Sequence, residues 1–468
     1  MSARYDLIVI GSGPGGYRAA VLAALRGLEV AIVERAQWGG CCLNRGCVPK
    51  KDWYHSARLV AAARSFAARG IQGGLRADMD GAWRHQRQVV DTVRTSYLDY
   101  MKRLGVTAHA GHAILQDAHT VRLTRDGGEA LTLHGDYMIL ATGARPGLPD
   151  GVQAVPGKIL TTDMLFDQPP PAGTRVALIG SSVVATEFAF IFTQLGKDVT
   201  WLTRSTPLHR TRFSPQALST LREALRRHGV EARQGARLCS IAAEDDAVRI
   251  TLEDGAVIEV DWVCLGTGRL PNSSGLGLEQ VGISTDGAGF IRRNAFLQTG
   301  LPNVYAIGDC AAPAMTANQA LSDAAVAVHN VITGNTRRQD DAWIPLVIYS
   351  AVELARLGLD DEQAEDAGLE PAVGFAAFET SPCALGQDDV DGFVRLLGDM
   401  DSGALLGGEI VGAEAGELIH LLALAPDRDT ALRWLASGRY NHPARAEELA
   451  NATETLASKW GLKEYVFE

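Results

Sequence analysis

The chain has 468 residues, of which 46% are hydrophobic and 21% are charged, and its formal net charge is −11. This length and composition predict a folded protein of about three domains and argue against the disordered, collagen-like and coiled-coil classes. An acidic chain without a basic stripe is a poor nucleic-acid binder, and the sequence has no apolar run of about 18 residues that would predict a membrane span.

The amino-terminal segment leads directly into a strand and lacks the apolar core and cleavage site of a secretory signal. Together with an odd number of cysteines, 7, this predicts a cytoplasmic protein in a reducing compartment. Residues 5–34 predict a strand, a tight turn, a helix and a second strand. Apolar spacings of three and four predict helices over 53–70 and 81–104, and strands then lead to 138–146.

The first strand–helix–strand pattern occurs a second time. The stretch QPPPAG at 168–173 marks a boundary, and residues 175–204 then repeat the pattern. The remaining predicted elements are strand and loop at 247–272 and 303–309, a helix from about 316, antiparallel strands from 339 with a hairpin turn at Asp399–Gly403, and helices at about 415–425, 428–437 and 443–460. The predicted fold class is therefore α/β, with two Rossmann-like units and an α+β carboxy-terminal domain.

The first turn fits the G-x-G-x-x-G pattern of dinucleotide-binding folds. Gly11 permits the tight turn, Gly13 lets a pyrophosphate approach the helix amino terminus, and Gly16 lets helix and strand pack closely. Glu34 ends the second strand, where a carboxylate can bind ribose hydroxyls. The alternative is a chance Gly-rich turn, but the strand, the spacing, the helix and the acid all favour a dinucleotide site.

The second turn departs from this pattern. Gly180 and Ala185 fit, but Ser182 replaces the usual glycine, which narrows the approach to a pyrophosphate while offering a hydroxyl to it. The following strand ends without an acid, and Arg204 and Arg210 are placed to bind a 2′-phosphate. The pattern favours NADP over NAD; the alternative is that both arginines are solvated surface residues.

A cysteine pair follows the first unit, in the segment Cys42-Leu43-Asn44-Arg45-Gly46-Cys47. Residues five apart in a straight helix have Cα atoms roughly 8–9 Å apart, which is too far for a disulfide. Cys42 and Cys47 can therefore pair only across an irregular turn, which Gly46 and Pro49 favour. The alternative is two buried thiols without a chemical role.

At this point the sequence resembles the FAD-dependent pyridine nucleotide–disulfide oxidoreductases over nearly its whole length. The motifs that carry the resemblance are GSGPGG with Glu34, CLNRGC, ATGARP at 141–146, GRLPN at 268–272, AIGD at 306–309 and HPARAE at 442–447. The resemblance implies an FAD-binding domain over 1–150 and 273–338, an NAD(P)-binding domain over 151–272 and a dimerisation domain over 339–468.

The resemblance also implies which residues contact the cofactors. For FAD these are Gly11, Gly13, Gly16, Glu34, Lys51, Gly308 and Asp309, with Thr142, Gly143 and Gly268 from the connecting motifs. For NADP or NAD they are Gly180, Ser182, Ala185, Arg204 and Arg210.

By the same resemblance, Cys42 is the interchange thiol that meets substrate, and Cys47 faces the flavin. Lys51 is expected to pair with Glu187 beside the reactive flavin nitrogen. His442 is expected to act as the base, with Glu447 orienting it and stabilising its charge. In the family this histidine reaches the cysteine pair of the other subunit, which implies a homodimer. Taken alone, His442 reads as a surface residue beside a proline at a helix start.

The expected reaction exchanges two electrons between NAD(P)(H) and a dithiol or disulfide through FAD and the Cys42–Cys47 disulfide. A dihydrolipoamide dehydrogenase-like enzyme, serving a small dithiol or a lipoyl carrier protein, fits best because the chain ends without a cysteine pair and shows no clear set of arginines for glutathione carboxylates. A glutathione reductase-like enzyme is the alternative. A non-catalytic FAD-binding partner protein is a third hypothesis, which Ser182 and Ala444 support and the intact cysteines oppose.

Cys41 leaves two interpretations open, a packed thiol and a competitor for Cys47. The other cysteines lack metal-ligand spacing and are interpreted as core thiols; they are Cys239, Cys264, Cys310 and Cys383.

Overall fold

The computed structural model describes residues 2–467. Its strands are β1 (Ser2–Ile10), β2 (Val30–Glu34), β3 (Thr107–Ala110), β4 (His112–Leu115), β5 (Thr120–Thr124), β6 (Ala130–Leu140), β7 (Ala144–Pro146), β8 (Ile159–Thr161), β9 (Arg175–Ile179), β10 (Asp198–Thr203), β11 (Ala232–Gln234), β12 (Leu238–Ala243), β13 (Val248–Leu252), β14 (Val257–Val260), β15 (Trp262–Leu265), β16 (Arg269–Pro271), β17 (Val304–Ala306), β18 (Leu346–Tyr349), β19 (Glu353–Gly358), β20 (Pro371–Ala377), β21 (Phe393–Asp399) and β22 (Leu405–Val411).

The α-helices alternate with these strands in the first three quarters of the chain and cluster at its carboxy-terminal end. They are α1 (Pro14–Leu25), α2 (Gly40–Arg45), α3 (Cys47–Ala62), α4 (Met79–Arg103), α5 (Met164–Asp167), α6 (Val183–Gln194), α7 (Pro215–Arg227), α8 (Ala317–Thr333), α9 (Asp361–Asp366), α10 (Pro382–Gln387), α11 (Ala415–Ala423), α12 (Ala431–Ala436), α13 (Glu447–Trp460) and α14 (Lys463–Phe467). Within the described residues, no helix is both long enough and apolar enough to cross a membrane.

The chain divides into two compact units. The first comprises Met1–Trp53, Met79–Ala172 and Thr267–Asp341. Its main sheet has the order β3-β2-β1-β6-β5-β4, with β17 also paired to β6. Alternate residues of β1 enter two different cores, since Leu7 and Val9 pack with α1 and α8 while Ile8 and Ile10 pack on the opposite face.

The second unit comprises Tyr54–Asp78, Gly173–Gly266 and Ala342–Glu468. In it, β11, β10, β9 and β15 are hydrogen-bonded in that order as parallel strands, and α6 connects β9 to β10. An antiparallel sheet of order β18-β19-β22-β21-β20 packs against α11, α12 and α13 around a separate apolar core. The two predicted βαβ units and the antiparallel carboxy-terminal sheet are confirmed.

Two helix boundaries differ from the predicted ones. The helix expected over 53–70 begins earlier, at Cys47, and gives way to single 3-10 turns after Ala62. The helix expected from 443 begins only at Glu447, because the backbone N–H of Ala444 donates to the Glu447 carboxylate and holds the preceding residues in a turn. Pro443 therefore lies in this turn and not at a helix start.

Candidate active site

The first glycine turn is built by close backbone packing. Gly11 has a φ of +103°, and a Cβ there would collide with the carbonyl oxygen of Ala141. A Cβ on Gly16 would collide with the carbonyl oxygen of Gly11. Gly13 has open space around its Cα and precedes α1, whose amino terminus has no side-chain cap. The turn thus leaves an uncapped helix amino terminus with room for a phosphate group.

Glu34 is fixed beside this turn at the end of β2. Its Oε2 accepts hydrogen bonds from the backbone N–H of Ser12 at 2.9 Å and from the Ser12 hydroxyl at 2.7 Å, and its Oε1 accepts from the N–H of Ala36 at 2.9 Å. The carboxylate is buried and its orientation is set before any ligand arrives.

Asp309 lies in a 3-10 turn, Gly308–Cys310, directly after β17. Burial raises the pKa of Asp309, and the nearby Arg269 opposes this shift. Behind the turn, Asp323 on α8 accepts from the N–H of Gly308 at 2.9 Å and from Arg293 Nη1 at 2.6 Å. A buried ion pair therefore holds the turn that carries Asp309.

The motifs at 141–146 and 268–272 run side by side. Strand β7 pairs antiparallel with β16, and the hydroxyl of Thr142 donates to the carbonyl oxygen of Asn272 at 2.6 Å. Gly143 has a φ of +69°, and its carbonyl oxygen accepts from the N–H of Asn272 at 2.9 Å. Gly268 has a φ of +110°, which a residue with a side chain rarely adopts.

In the second glycine turn, the side chain of Ser182 makes hydrogen bonds within the protein. This residue is the N-cap of α6; its hydroxyl oxygen accepts from the N–H of Ala185 at 3.3 Å and donates to the carbonyl oxygen of Gly266 at 3.1 Å. The hydroxyl is thus hydrogen-bonded within the fold, and its contact with a pyrophosphate stays a prediction. Gly180 packs against Gly266, where a Cβ would collide with its carbonyl oxygen.

Arg204 and Arg210 are both exposed in the loop that follows β10. The loop is tied to the second glycine turn, because the N–H of Leu208 donates to the carbonyl oxygen of Ser181 at 2.9 Å. The Ser205 hydroxyl lies 3.1 Å from the Ser181 hydroxyl. Two exposed cationic side chains therefore project from a backbone that is anchored beside the turn.

Cys42 and Cys47 form a disulfide with a Cα–Cα distance of 4.7 Å. The helix breaks between them at Gly46, whose φ and ψ of −138° and −111° separate α2 from α3. The predicted irregular turn at Gly46 is confirmed, whereas Pro49 lies in the first turn of α3 and does not make the break.

Cys41 is not part of this disulfide. Its Sγ lies 3.3 Å from Arg269 Nη2 and 3.8 Å from Asp163 Oδ1, and Arg269 Nη1 donates to the same carboxylate oxygen at 3.0 Å. Burial raises the pKa of the Cys41 thiol to about 11, although Arg269 acts in the opposite direction. The thiol is therefore protonated at neutral pH, which favours the packed-thiol interpretation.

Lys51 lies on α3, four residues after Cys47, and is exposed. Glu187 is buried on α6, and its Oε1 accepts from the backbone N–H of Tyr349 at 2.9 Å. The two residues belong to different compact units, and their pairing stays a prediction.

His442 and Glu447 are in contact. Nδ1 of His442 lies 2.9 Å from Oε1 of Glu447, and Oε2 accepts from the N–H of Ala444 at 2.7 Å. These two hydrogen bonds lower the pKa of Glu447, so the carboxylate is charged at neutral pH. An imidazole that donates from Nδ1 keeps Nε2 as its basic nitrogen, and the His442 side chain is 73% exposed. The pair can accept and return a proton at the surface.

Sequence reasoning missed several residues that support these groups. Arg269 and Asn44 stand inside quoted motifs, and Asn44 is buried with its amide donating to the carbonyl oxygens of Trp38 and Gly40. Asp323 had a detectable signal, since it is a carboxylate within the alanine- and valine-rich stretch of α8. Tyr349 contributes a backbone N–H to Glu187, and no sequence pattern predicts such a contact.

The glycine turns, the disulfide between α2 and α3 and the histidine–glutamate pair define a flavoprotein disulfide oxidoreductase. The chain belongs to the pyridine nucleotide-disulphide oxidoreductase family, which residues 5–329 match, and residues 344–453 match the dimerisation domain of that family. It is accordingly an FAD-dependent enzyme that exchanges electrons between a pyridine nucleotide and a disulfide.

Several curated relatives are similar over their whole length. The chain is 34% identical over 463 residues to a dihydrolipoyl dehydrogenase of Thermus scotoductus, with 97% of each chain covered. It is 32% identical to a dihydrolipoyl dehydrogenase of Haloferax volcanii, covering 96% of this chain and 95% of the relative. It is also 32% identical to dihydrolipoyl dehydrogenase 3 of Pseudomonas aeruginosa, covering 97% and 98%.

Solved structures share the fold. LpdA from Mycobacterium tuberculosis superposes with a TM-score of 0.90 at 24% identity, covering 97% of this chain and 99% of the other. The HOCl-induced flavoprotein disulfide reductase RclA from Escherichia coli, in its Cu(II) complex, superposes with a TM-score of 0.84 at 24% identity, covering 96% and 99%.

The residues of the first unit fit FAD. The space at Gly13 would accept the pyrophosphate at the amino terminus of α1, and the fixed carboxylate of Glu34 would accept hydrogen bonds from ribose hydroxyls. The half-buried carboxylate of Asp309 is a further acceptor for hydroxyl groups. Thr142 and Gly143 would line the same cofactor from the connecting motif.

Proposed function

We propose that this chain oxidises a dihydrolipoyl dithiol with a pyridine nucleotide as electron acceptor. The observation that carries the proposal is the full-length similarity to dihydrolipoyl dehydrogenases. The local chemistry supports it, because a closed disulfide and a basic imidazole are the groups that dithiol oxidation requires.

In the proposed reaction, a substrate thiolate attacks Sγ of Cys42, which breaks the Cys42–Cys47 bond and leaves Cys47 as a thiolate. The second substrate thiol attacks the mixed disulfide, which releases the oxidised lipoyl disulfide, and its proton passes to the departing sulfur to give the Cys42 thiol. The substrate has then lost two electrons and two protons, and His442 takes up the proton of an attacking thiol through Nε2.

Reoxidation closes the cycle. FAD, when bound, supplies a two-electron carrier between the cysteine pair and the pyridine nucleotide. The pyridine nucleotide leaves with both electrons and one proton, and the second proton returns to solvent through His442. Glu447 stabilises the imidazolium while that proton is held.

We propose that Arg204 and Arg210 favour NADP over NAD, which their exposed guanidinium groups support. A homodimer is proposed on the match to the dimerisation domain, with a small dithiol or a lipoyl carrier protein as the substrate partner. A reducing, cytoplasmic location is proposed because Cys41, Cys239, Cys264, Cys310 and Cys383 are unpaired in the described chain.

The test is anaerobic turnover of the purified protein with dihydrolipoamide and NAD, dihydrolipoamide and NADP, and glutathione disulfide and NADPH. Rapid turnover of dihydrolipoamide supports the proposal, and turnover of glutathione disulfide alone overturns it. In the same panel, an Arg204→Gln/Arg210→Gln variant should weaken NADP(H) binding about tenfold and leave NAD(H) binding unchanged. Equal binding of NADP(H) by the variant and the parent chain contradicts the arginine assignment. Absence of all turnover despite FAD content indicates a non-catalytic flavoprotein.

A further inference from the structure

Arg445 stands inside the turn that carries the histidine–glutamate pair, three residues after His442 and two before Glu447. Its side chain is 1% exposed, in a segment where residues 437–443 are exposed or half-buried. Arginine is almost never fully buried without a specific set of partners. The buried guanidinium therefore requires a physical explanation that apolar packing of the turn does not provide.

The guanidinium is held by the last residue of α10 and by the segment directly after it. Its Nε and Nη2 donate to Oε1 of Gln387 at 3.2 and 2.9 Å, and Nη2 also donates to the carbonyl oxygen of Asp389 at 3.0 Å. The Arg445 Cζ lies 5.1 Å from the centre of the Phe378 ring. The planar guanidinium, here called the fork, donates to two acceptors and lies over an aromatic ring. These contacts fix its orientation, which packing of an aliphatic side chain would not do.

The fork also forms an ion pair with Asp389. The Asp389 carboxylate lies 3.6 Å from Nη2; burial raises its pKa, and Arg445 and Arg58 act to lower it while Asp391 and Glu414 act to raise it. Two of the three hydrogen bonds thus go to a neutral amide oxygen, and the third goes to a backbone carbonyl. These hydrogen bonds orient the Arg445 guanidinium more than they neutralise its charge.

The turn has anchors on both sides of His442. Before it, the hydroxyl of Tyr440 donates to the carbonyl oxygen of Leu435 at 2.8 Å. After it, Arg445 binds the 387–389 segment, and its own carbonyl oxygen accepts from the N–H of Glu448 at 3.1 Å. The Ala444 N–H that holds Glu447 belongs to the residue directly before Arg445.

We propose that Arg445 is a positioning residue, which orients the His442–Glu447 pair by tying its turn to Gln387 and Asp389. The inference rests on the proposed dithiol–disulfide activity, in which His442 takes up the proton of the substrate thiol that attacks Cys42, and its imidazolium then stabilises thiolate at the cysteine pair. Loss of the tie would let the turn rotate, so that the imidazolium no longer stabilises the thiolate and the thiol pKa rises.

The experiment measures alkylation of Cys42 by iodoacetamide as a function of pH in the reduced FAD-containing protein. Because only the thiolate reacts, the midpoint of this profile reports the thiol pKa. The His442→Gln variant gives the shift of the midpoint that is expected when the imidazole is lost completely. Arg445→Leu is expected to raise the midpoint by about one pH unit, and Gln387→Leu by a smaller amount in the same direction. Arg445→Lys should restore part of the shift, since it keeps a donor in the same place.

Arg439→Leu is the matched control, because it removes an exposed arginine three residues before His442 and should leave the midpoint unchanged. In steady-state assays with dihydrolipoamide, Arg445→Leu should lower kcat about tenfold while the KM for the pyridine nucleotide stays the same. Thermal unfolding of each variant separates these effects from a loss of stability.

An unchanged midpoint in both Arg445→Leu and Gln387→Leu, with only the unfolding temperature lowered, overturns the inference. If Arg445→Leu does not fold, Gln387→Leu decides, because residue 387 is exposed and its change removes the acceptor of two hydrogen bonds. An unchanged midpoint in His442→Gln instead shows that the proposed role of His442 is wrong. Failure of dihydrolipoamide as a substrate leaves the alkylation test of Arg445 valid.

Discussion

The Glu447 carboxylate accepts two hydrogen bonds with two different oxygens, one from His442 and one from the Ala444 N–H. Its pKa is lowered in the folded chain, so its contribution to stability is present above the ordinary carboxyl pKa and is lost as the pH falls through the lowered value. The pair is therefore intact at neutral pH. A loss of activity between pH 5 and 7 would therefore report the titration of a group other than the Glu447 carboxyl.

Glu447→Gln should lower kcat for dihydrolipoamide roughly 10- to 100-fold, because glutamine offers a single acceptor oxygen and no charge to stabilise the imidazolium. Steady-state kinetics and an unfolding curve check this expectation. Glu454→Gln, an exposed change on the same helix α13, is the control and should behave as the parent chain. Equal kcat values for the two variants would remove Glu447 from the mechanism.

Cys41 provides a second prediction for a single residue. Burial raises its pKa to about 11, so we expect Cys41 to resist alkylation at pH 8 in the native protein, while the exposed Cys239 reacts. Cys41→Ser should retain turnover within about twofold, since a hydroxyl can keep the contacts to Arg269 and Asp163. Mass spectrometry of the alkylated protein, and turnover of the variant, measure both. A tenfold loss of turnover would instead favour a redox role.

At the scale of elements, the sequence predicted those features that depend on local chain chemistry. The glycine spacing located the two βαβ units, and Gly46 located the break between α2 and α3. The start of α13 was missed because it depends on a hydrogen bond from Ala444 to a side chain three residues later. The hydrogen bond from Ser182 to Gly266 was not predicted, because the two residues are 84 positions apart in the sequence.

Helix α8 fixes the turn that carries Asp309 through one buried carboxylate. Asp323 is fully buried and paired with Arg293, and it also accepts from the N–H of Gly308. Asp323→Asn should destabilise the protein by about 3 kcal/mol, because it leaves a buried guanidinium without its countercharge. The same change should reduce the amount of FAD retained, since the turn before Asp309 loosens.

Thermal unfolding and the ratio of FAD to protein after gel filtration test this prediction. Asp136→Asn is the control, as it removes the carboxylate of an exposed pair with Arg4 in the same compact unit. Such pairs contribute little to stability, so this variant should match the parent chain in both measurements. The prediction is wrong if the two variants cannot be distinguished.

For the whole molecule, the four-segment domain division remains a prediction, and so does the use of one subunit's histidine by the disulfide of the other. The Cys42–Cys47 disulfide belongs to the first compact unit and the His442–Glu447 pair to the second. The proposed reaction uses both groups, and a dimer offers two ways to combine them, within one subunit or between two.

Mixed dimers separate the two arrangements. If each site combines the disulfide of one subunit with the histidine of the other, a dimer of Cys42→Ser and His442→Gln subunits holds one intact site and one site with both changes. If each site is built within one subunit, each site of the mixed dimer carries one inactivating substitution, and the mixed dimer is inactive. Random reassociation of equal amounts makes about half of the dimers mixed, so shared sites predict about one quarter of parental turnover.

Dihydrolipoamide turnover before and after reassociation measures this outcome, with each variant alone as the inactive reference. Differently tagged subunits purified in sequence isolate the mixed dimer, for which shared sites predict about half of the parental value. Reassociated material that stays inactive, although the mixed dimer is recovered, would place each histidine with the disulfide of its own chain. In that case the dimerisation domain would serve assembly without completing the site.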